Sequence, residues 1–517
     1  MRVMPRTRRL LGKRGVTFAN ALASYPLCCP SRATFLTGQY AHNHDVIDNR
    51  PPEGGYEKLD ASEYLPIWLK RSGYLTAHIG KYLNDYMEED GVPPGWDRWF
   101  GMVEPAARYF KAKFLDENGE LHELGTRPED YSTDVMTRKA VELISQRGPE
   151  DPPFYLSVGY VAPHVGKSQL SGGHCSGKGP EPAPRHLGRF RGRPIPRTPA
   201  FNESDVSDKP RVIQKLEPLA GSKLREKTDK YQCRLETLLA VDESVERIVR
   251  ALREVGELRN TYVIFVSDNG FVQGDHRIEG GKAVPYENSL RIPLLIRGPG
   301  VARGAVARDL VSNADIPATV LDIAQAEAGL SVDGTSILDM LARPSELRGR
   351  AIPIESYRED GFHGVRTDRY TYVERHTGEV ELYDLRADPF QLESVHDDPQ
   401  YAAAREALAE LTAQLEECAG EDCERRPRLE LDARRRSGRT DESACSEQVS
   451  IALTGADAEA VAEVRLTLAG RSLGPLGRSP REFELDPGSR ARVRANVEMI
   501  DGRLVTLVAD VPACEAG

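Results

Sequence analysis

The segment Cys28-Cys29-Pro30-Ser31-Arg32 brings a thiol, a proline and a guanidinium within five residues. Pro30 suits the first turn of a helix, because residues at a helix start need no amide donor. The segment therefore predicts a short helix with Cys28 at its positive end. That position lowers the pKa of a thiol and favours a nearby anion. These residues alone leave open a buried thiol or a disulfide partner.

Polar clusters follow three apolar runs that are typical of strands. In chain order they are Lys81, His164 and the pair Asp268-Asn269. Open α/β sheets bind ligands at the carboxyl ends of their strands, so we expect these side chains to converge on the Cys28 helix. A histidine in such a loop also caps backbone groups in many proteins. The convergence predicts one polar crevice.

Asp268 and Asn269 offer two side-chain oxygens, which are the ligands that Ca²⁺ prefers. Asp-Asn-Gly is also a common turn sequence. Its position directly after a buried strand favours the interpretation as metal ligands. We therefore predict a divalent cation, Ca²⁺, at this strand end.

Composition narrows the class of protein. The 517 residues suffice for one large α/β domain with smaller additions. The net charge of −11 argues against generic nucleic-acid binding, because such surfaces are usually basic. The sequence has no apolar run of about 18 residues that predicts a membrane span.

The longer pattern from Cys28 to Gly38 resembles the signature of the type I sulfatases. In that family a formylglycine-generating enzyme oxidises the cysteine to formylglycine, whose hydrate attacks the sulfur of a sulfate ester. By this resemblance Cys28, and not Cys29, is the converted residue. The resemblance implies an alkaline-phosphatase-like α/β fold with a mostly parallel sheet between helices.

The resemblance also implies roles for individual residues. Formylglycine 28 would be held by Arg32 and Lys81, while His164 and Lys282 would bind sulfate oxygens and help to protonate the leaving alcohol. Without the resemblance, Lys282 is typical of a solvated surface residue. The other assigned residues are His276, Asn84 and Arg291 for substrate, and Asp268 and Asn269 for the metal.

Further segments resemble the N-acetylglucosamine-6-sulfatase branch. They include Tyr40-Ala41-His42-Asn43-His44 and Gly80-Lys81-Tyr82-Leu83-Asn84. A sulfated carbohydrate of this kind is the expected substrate, with an aryl sulfate as the second choice. Phosphonate and phosphate monoester hydrolases of the same superfamily share the cysteine signature, so they remain an alternative.

The N-terminal segment raises a third possibility. The resemblance implies a first buried strand that ends in two adjacent metal-binding aspartates, yet no acidic residue precedes Asp45. We therefore expect the chain to be N-terminally incomplete and to lack half of the metal site. A catalytically silent, carbohydrate-binding relative is the corresponding alternative function.

The cysteines indicate an oxidising compartment. Cys418 with Cys423 and Cys445 with Cys514 are plausible local disulfides, and Cys175 with Cys233 is a third candidate pair. We expect a secreted or extracytoplasmic protein, although no signal peptide is visible.

Four regions are predicted along the chain. They are a catalytic domain at 1–345, a C-terminal subdomain with an antiparallel sheet at 346–424, a charged linker at 425–440, and a small β module at 441–517. Cys445 and Cys514 would close the β module, whose role the sequence does not reveal.

Overall fold

A computed structural model describes residues 1–103, 108–148, 150–166, 174–177, 179–437, 445–468, 470–477, 481–485 and 489–513. It confirms the α/β class. No helix in these ranges is long and apolar enough to cross a bilayer.

The helices of the described ranges surround the sheets of the catalytic domain and cover the C-terminal sheet. They are α1 (Pro5–Leu10), α2 (Cys28–Thr37), α3 (Ala41–His44), α4 (Leu65–Arg71), α5 (Ser132–Ser145), α6 (Arg211–Gln214), α7 (Gly221–Glu254), α8 (Glu287–Leu290), α9 (Asp315–Ala324), α10 (Leu338–Ala342) and α11 (Ala402–Glu416).

The strands fall into a catalytic group and a C-terminal group. The catalytic group is β1 (Val16–Leu22), β2 (Leu75–Lys81), β3 (Arg98–Met102), β4 (Lys113–Asp116), β5 (Leu121–Glu123), β6 (Phe154–Gly159), β7 (Val263–Val266), β8 (Leu294–Arg297) and β9 (Ala305–Ser312). The C-terminal group is β10 (Ile352–Ser356), β11 (Phe362–Arg366), β12 (Tyr370–Arg375), β13 (Val380–Asp384), β14 (Glu430–Ser437), β15 (Cys445–Thr454), β16 (Val461–Leu468), β17 (Arg471–Pro475), β18 (Arg481–Glu484), β19 (Ala491–Met499) and β20 (Leu504–Val511).

Two mixed sheets form the catalytic domain. The first sheet has the order β7-β8-β1-β9, and the second sheet has the order β5-β4-β3-β2-β6. Parallel pairing joins β1 to β9 and β2 to both β3 and β6, whereas the other neighbours are antiparallel. The expected mostly parallel sheet is therefore wrong in detail, because β8 returns between β7 and β1 in the opposite direction. Apolar periodicity indicates strands but does not fix their direction.

The long helix α7 supports both sheets. Its 34 residues span about 51 Å at 1.5 Å per residue. Val245 and Val249 pack in a cluster with Val263 and Phe265 of β7. This packing holds β7 against the helix.

The strands β6 and β7 are edge strands of the two catalytic sheets. Among the described residues, β6 pairs with β2 alone and β7 pairs with β8 alone. Every residue of both strands is partly exposed, although Phe154, Leu156 and Val263 pack in one cluster with Leu252 of α7. One set of side chains from these strands is therefore packed against α7.

The C-terminal subdomain is an antiparallel sheet of order β10-β11-β12-β13. The antiparallel sheet predicted for this region is confirmed, and its strands β12 and β13 form a hairpin across a turn that contains Gly378. Helix α11 covers this sheet, because its Leu408, Leu411 and Leu415 pack in a cluster with Val365.

The β module consists of two sheets, β14-β15-β18 and β17-β16-β19-β20, around a shared apolar core. The predicted linker at 425–440 is wrong over Glu430–Ser437, because these residues form β14 and pair with β15. Leu431 and Ala433 pack against the core while charged residues alternate with them. Because this strand has only one apolar face, its charged residues made it look like a linker in the sequence.

Two predicted disulfides are present, Cys175–Cys233 and Cys418–Cys423. The predicted pair Cys445–Cys514 lies outside what the structure describes, since Cys514 and the side chain of Cys445 are beyond the described residues. Cys28 and Cys29 are free thiols.

Candidate active site

Helix α2 begins with Cys28 as its first residue. The preceding Leu27 is extended and is the N-cap. The helix ends at Gly38, whose φ of +73° is the left-handed conformation that glycine adopts without strain. Amides at a helix start lack helical acceptors, and the helix dipole makes this end positive. The buried thiol of Cys28 therefore lies where an anion is stabilised.

Two lysines surround this thiol. Lys282 Nζ lies 2.9 Å from Cys28 Sγ, and the buried Lys81 at the end of β2 also acts on it electrostatically. Burial alone would raise the pKa of the Cys28 thiol, but Lys81, Lys282 and a hydrogen bond with His164 together lower it well below its usual value. Burial raises the pKa of the adjacent Cys29 to about 11. The two neighbouring thiols therefore lie in different electrostatic surroundings.

His164 is held on the loop after β6. Its Nδ1 donates a hydrogen bond to the carbonyl oxygen of Val165 at 2.6 Å, and its own carbonyl oxygen accepts from the Tyr109 hydroxyl at 2.7 Å. A carbonyl oxygen can only accept, so Nδ1 carries a proton. The other ring nitrogen is thus left to exchange a proton on the Cys28 side.

Arg32 joins α2 to the ends of two strands. Its Nε donates to Asp268 Oδ2 at 2.9 Å, and its Nη1 donates to the carbonyl oxygens of Lys81 at 2.8 Å and Tyr82 at 3.2 Å. Burial would raise the pKa of Asp268, but Arg32, Lys282 and Lys81 lower it below its usual range. Asp268 is therefore ionised at neutral pH, and the strand ends do converge on α2.

Two further residues position this region and were not singled out in the sequence. Ser31 donates from its hydroxyl to the backbone oxygen of Asp268. The buried Asn313 donates to Ser31 Oγ at 3.0 Å and accepts from the amide of Ser24 at 3.1 Å. Asn313 directly follows β9, so the strand-end criterion could have identified it.

The predicted metal ligands are Asp268 and Asn269, and their oxygens face cations of the chain. Asp268 Oδ2 accepts from Arg32, while Asn269 Oδ1 accepts from Lys282 Nζ at 3.2 Å. Ca²⁺ takes about six to eight oxygen ligands. Within the described ranges, no cluster of three or more His, Cys, Asp or Glu side chains includes Asp268. These two residues by themselves therefore do not fit a Ca²⁺ ion.

The three predicted substrate-binding residues have different surroundings. Asn84 Oδ1 is shielded from solvent and has no hydrogen-bond partner among the described residues. His276 is buried and its Nδ1 bonds to Glu203 Oε2 at 2.6 Å. Arg291 bonds to the carbonyl oxygen of Ala19. The structure thus leaves Asn84 with a spare acceptor, and it holds His276 and Arg291 in other contacts. Substrate binding by these three stays a prediction.

The arrangement suits an anionic reaction centre. The buried sulfur of Cys28 lies at a helix start and interacts with two ammonium groups and one imidazole. Fixed donors of this kind stabilise negative charge that develops in a transition state. These charges can therefore stabilise a tetrahedral oxyanion next to the Cys28 side chain.

Comparison with known proteins agrees with this chemistry. The family model Sulfatase matches residues 1–326, which is more than half of the chain. The chain belongs to the sulfatase family. A second model, N-sulphoglucosamine sulphohydrolase, C-terminal, matches residues 274–419 of this sulfatase. The family generally uses formylglycine and a divalent cation.

Individual relatives extend this comparison. The N-acetylglucosamine-6-sulfatase of Homo sapiens is 32% identical over 374 residues, which cover 70% of this sulfatase and 65% of the relative. A Sulf-1 homologue of Caenorhabditis elegans is 34% identical over 367 residues, which cover 69% of this chain and 49% of the relative. This sulfatase thus spans about half the length of that protein.

A solved structure shares the fold. It is a complex with the substrate D-glucosamine-2-N,6-O-disulfate, and it matches with a TM-score of 0.65 at 24% identity. The match covers 79% of this sulfatase and 92% of that chain. The alkaline-phosphatase-like α/β architecture is confirmed by this likeness.

Proposed function

We propose that this sulfatase hydrolyses the sulfate ester of a sulfated carbohydrate, of the N-acetylglucosamine-6-sulfate kind. The observation that carries the proposal is the contact of 2.9 Å between Lys282 Nζ and Cys28 Sγ, at the positive start of α2. Family membership supplies the reaction class. The human relative is an N-acetylglucosamine-6-sulfatase, which supports the choice of this sugar as substrate.

Formylglycine at position 28 would supply a hydrated aldehyde, whose hydroxyl is the nucleophile. The free thiol of Cys28 occupies that place here. Conversion requires a formylglycine-generating enzyme as a partner during maturation. Side chains of the protein itself would stabilise charge and transfer the proton.

Lys81 would hold formylglycine 28 together with Arg32, and Lys282 and His164 would bind the sulfate oxygens. Both ammonium groups would balance the negative charge that builds as the ester bond breaks. Arg32 orients the end of β2 through the carbonyl oxygens of Lys81 and Tyr82. His164 would deliver a proton to the leaving alcohol from the ring nitrogen that Val165 leaves free.

Asp268 and Asn269 are proposed to contribute two oxygens to a Ca²⁺ site. Because they do not fit this ion by themselves, no step of the mechanism is derived through it. Asn84 Oδ1 supports a role in substrate binding, since a buried acceptor without a partner gains most from a hydroxyl donor. The two disulfides support export to an oxidising compartment.

A turnover experiment tests the proposal. The protein is expressed together with a formylglycine-generating enzyme, and mass spectrometry of the peptide that contains Cys28 measures conversion. Initial rates are then compared for N-acetylglucosamine 6-sulfate, 4-nitrophenyl sulfate and 4-nitrophenyl phosphate, with and without Ca²⁺. Cys28→Ser is the test variant and Cys29→Ser is its neighbour control.

We expect sulfate release from the sugar to exceed turnover of both aryl esters, and to be lost in Cys28→Ser alone. Faster turnover of the phosphate ester would indicate the phosphomonoester alternative. A fully converted protein that binds the sugar without hydrolysis in the presence of Ca²⁺ would indicate the silent, carbohydrate-binding alternative. The silent alternative is favoured because, within the described ranges, no group of three or more His, Cys, Asp or Glu side chains includes Asp268.

A further inference from the structure

Three side chains that commonly bind metals lie together outside the candidate active site. A ring nitrogen of His174 and the sulfurs of Cys175 and Cys233 lie within 4.8 Å of one another. Cys233 is on α7, whereas His174 and Cys175 lie between β6 and α7 in the chain. The two sulfurs are joined as a disulfide in this structure. Imidazole nitrogen and thiolate sulfur are ligands that Zn²⁺ prefers, so reduction of this disulfide would leave three zinc ligands together.

Glu236 faces the same group from α7. Its side chain is fully buried, and its Oε1 lies 3.3 Å from His174 Nε2. Because a carboxylate accepts hydrogen bonds, Nε2 carries the proton of the neutral ring and Nδ1 carries the lone pair. A carboxylate that bonds to the second nitrogen of a histidine in this way is the usual outer partner of a zinc ligand. His174 is thus held in a tautomer that can bind a metal through Nδ1.

Two backbone amides fix Glu236 in turn. The amide of Gly188 donates to Oε2 at 3.0 Å, and the amide of Phe190 donates to Oε1 at 2.9 Å. In the part of the chain that the structure describes, the one ion-pair partner of Glu236 is His174. Buried charges in proteins are usually paired or coordinate metals. The negative charge of Glu236 therefore favours a cation bound to His174.

A second group of the same composition lacks this arrangement. It consists of His42 and the disulfide partners Cys418 and Cys423. His42 Nδ1 lies 2.9 Å from Glu355 Oε2, and its Nε2 lies 3.0 Å from the carbonyl oxygen of Cys418. Both oxygens are acceptors, so both ring nitrogens carry protons and neither offers a lone pair to a metal. The group at His174 is therefore the better zinc site.

We propose that Cys175 and Cys233 bind one Zn²⁺ together with His174 once their disulfide is reduced. Glu236 orients the imidazole, and a water molecule completes the tetrahedron. The ion would replace the disulfide as the link between α7 and the segment that carries His174. The inference goes beyond the proposed function and does not depend on it, because none of these four residues belongs to the candidate active site.

The exchange of the disulfide for zinc balances in two steps. A dithiol reductant transfers two electrons and two protons to the disulfide, which becomes two thiols, while the reductant becomes a cyclic disulfide. Zn²⁺ then displaces the two thiol protons, so the ion and its two thiolates carry no net charge. The segment is therefore linked to α7 by a disulfide under oxidising conditions and by a metal ion under reducing conditions.

The experiment measures Zn²⁺ binding to the full chain before and after reduction. The protein is reduced with dithiothreitol without oxygen, and the reductant is removed by gel filtration in the same atmosphere. Competition with a chromophoric zinc chelator gives the affinity, and Co²⁺ serves as a spectroscopic probe of metal–thiolate bonds. The test variants are His174→Gln, Glu236→Gln and the double variant Cys175→Ser with Cys233→Ser. His42→Gln is the matched control in the second group.

We expect the reduced wild type to bind one Zn²⁺ and the oxidised protein to bind none at the same chelator concentration. Loss of an outer partner weakens zinc binding about 10- to 100-fold, so Glu236→Gln should fall in this range. His174→Gln removes a ligand and should weaken binding by more than about 100-fold. The double serine variant should lose the Co²⁺–thiolate absorbance, and His42→Gln should resemble the wild type. Zn²⁺ should also raise the thermal unfolding midpoint of the reduced protein alone.

Equal zinc binding by the oxidised and the reduced protein would overturn the inference, as would an unchanged affinity in His174→Gln. A loss of binding in His42→Gln alone would place the metal at the second group and would also overturn it. Circular dichroism of the oxidised variants checks their folding, because the disulfide then holds the segment without zinc. If Glu236→Gln does not fold, His174→Gln decides, since its side chain bonds to Glu236 alone among the described residues.

Discussion

Replacing Lys282 by methionine should raise the pKa of the Cys28 thiol in the unconverted protein. Lys282→Met keeps the length of the side chain and removes a charge that lies 2.9 Å from Sγ. Two unit charges about 4 Å apart interact by about 4 kcal/mol at an effective dielectric constant of 20. Each 1.36 kcal/mol corresponds to one pKa unit, so the full loss is about 3 units. Because Lys81 remains and water can enter the space that the ammonium group leaves, we expect the pKa of the Cys28 thiol to rise by about 2.

Thiolate absorbance at 240 nm measures this pKa without the need for a reagent to reach a buried sulfur. The titration of Cys28→Ser is subtracted from that of the protein with Cys28, in the wild-type and in the Lys282→Met background. Lys223→Met is the matched control, because Lys223 is exposed and pairs with Glu279. Cys29 should stay protonated at neutral pH, since burial raises its pKa to about 11. An unchanged titration in Lys282→Met would refute the electrostatic account of the site.

Three further outcomes are expected from the fold. Arg350→Met leaves Asp315 buried without the guanidinium that lies 2.6 Å away, and we expect a loss of about 3 to 5 kcal/mol in urea unfolding; an unchanged midpoint would contradict this. Removing the Cys175–Cys233 disulfide by double serine substitution opens a loop of 58 residues and should cost about 4 kcal/mol by chain entropy, measured by the same unfolding; no loss of stability would contradict it. Burial raises the pKa of Asp368 to about 7, so the folded state binds its proton more tightly than the unfolded state and stability should fall as pH rises from about 4 to about 7. Asp368→Asn should flatten that fall, and a profile identical to the wild type would contradict the assignment.

The strand-end criterion recovered much of the site from sequence. Lys81, His164 and Asp268 are far apart in the chain, yet their convergence followed from buried runs that end in polar residues. Lys282 could not be found in this way, because it lies on an irregular segment and a lone lysine is usually solvated. The assignment of Lys282 to the site rested on the resemblance to the sulfatases, and the contact with Cys28 Sγ gives this assignment a physical basis.

Other structural features were not predicted because no local sequence pattern indicates them. The direction of β8 depends on the path of the chain and not on periodicity, so the sheets were expected to be more parallel than they are. The strand Glu430–Ser437 was taken for a linker because its charged residues alternate with the few apolar ones that reach the core.

The edge strands β6 and β7 have a consequence for the behaviour of the protein in solution. Each has one edge without a strand partner among the described residues, so amide and carbonyl groups there are available to another extended chain. These amides should exchange with deuterium faster than those of β2, which is paired on both sides. At high concentration, edge-to-edge pairing between copies should make this sulfatase associate, and substitutions that place lysine along β7 should suppress it.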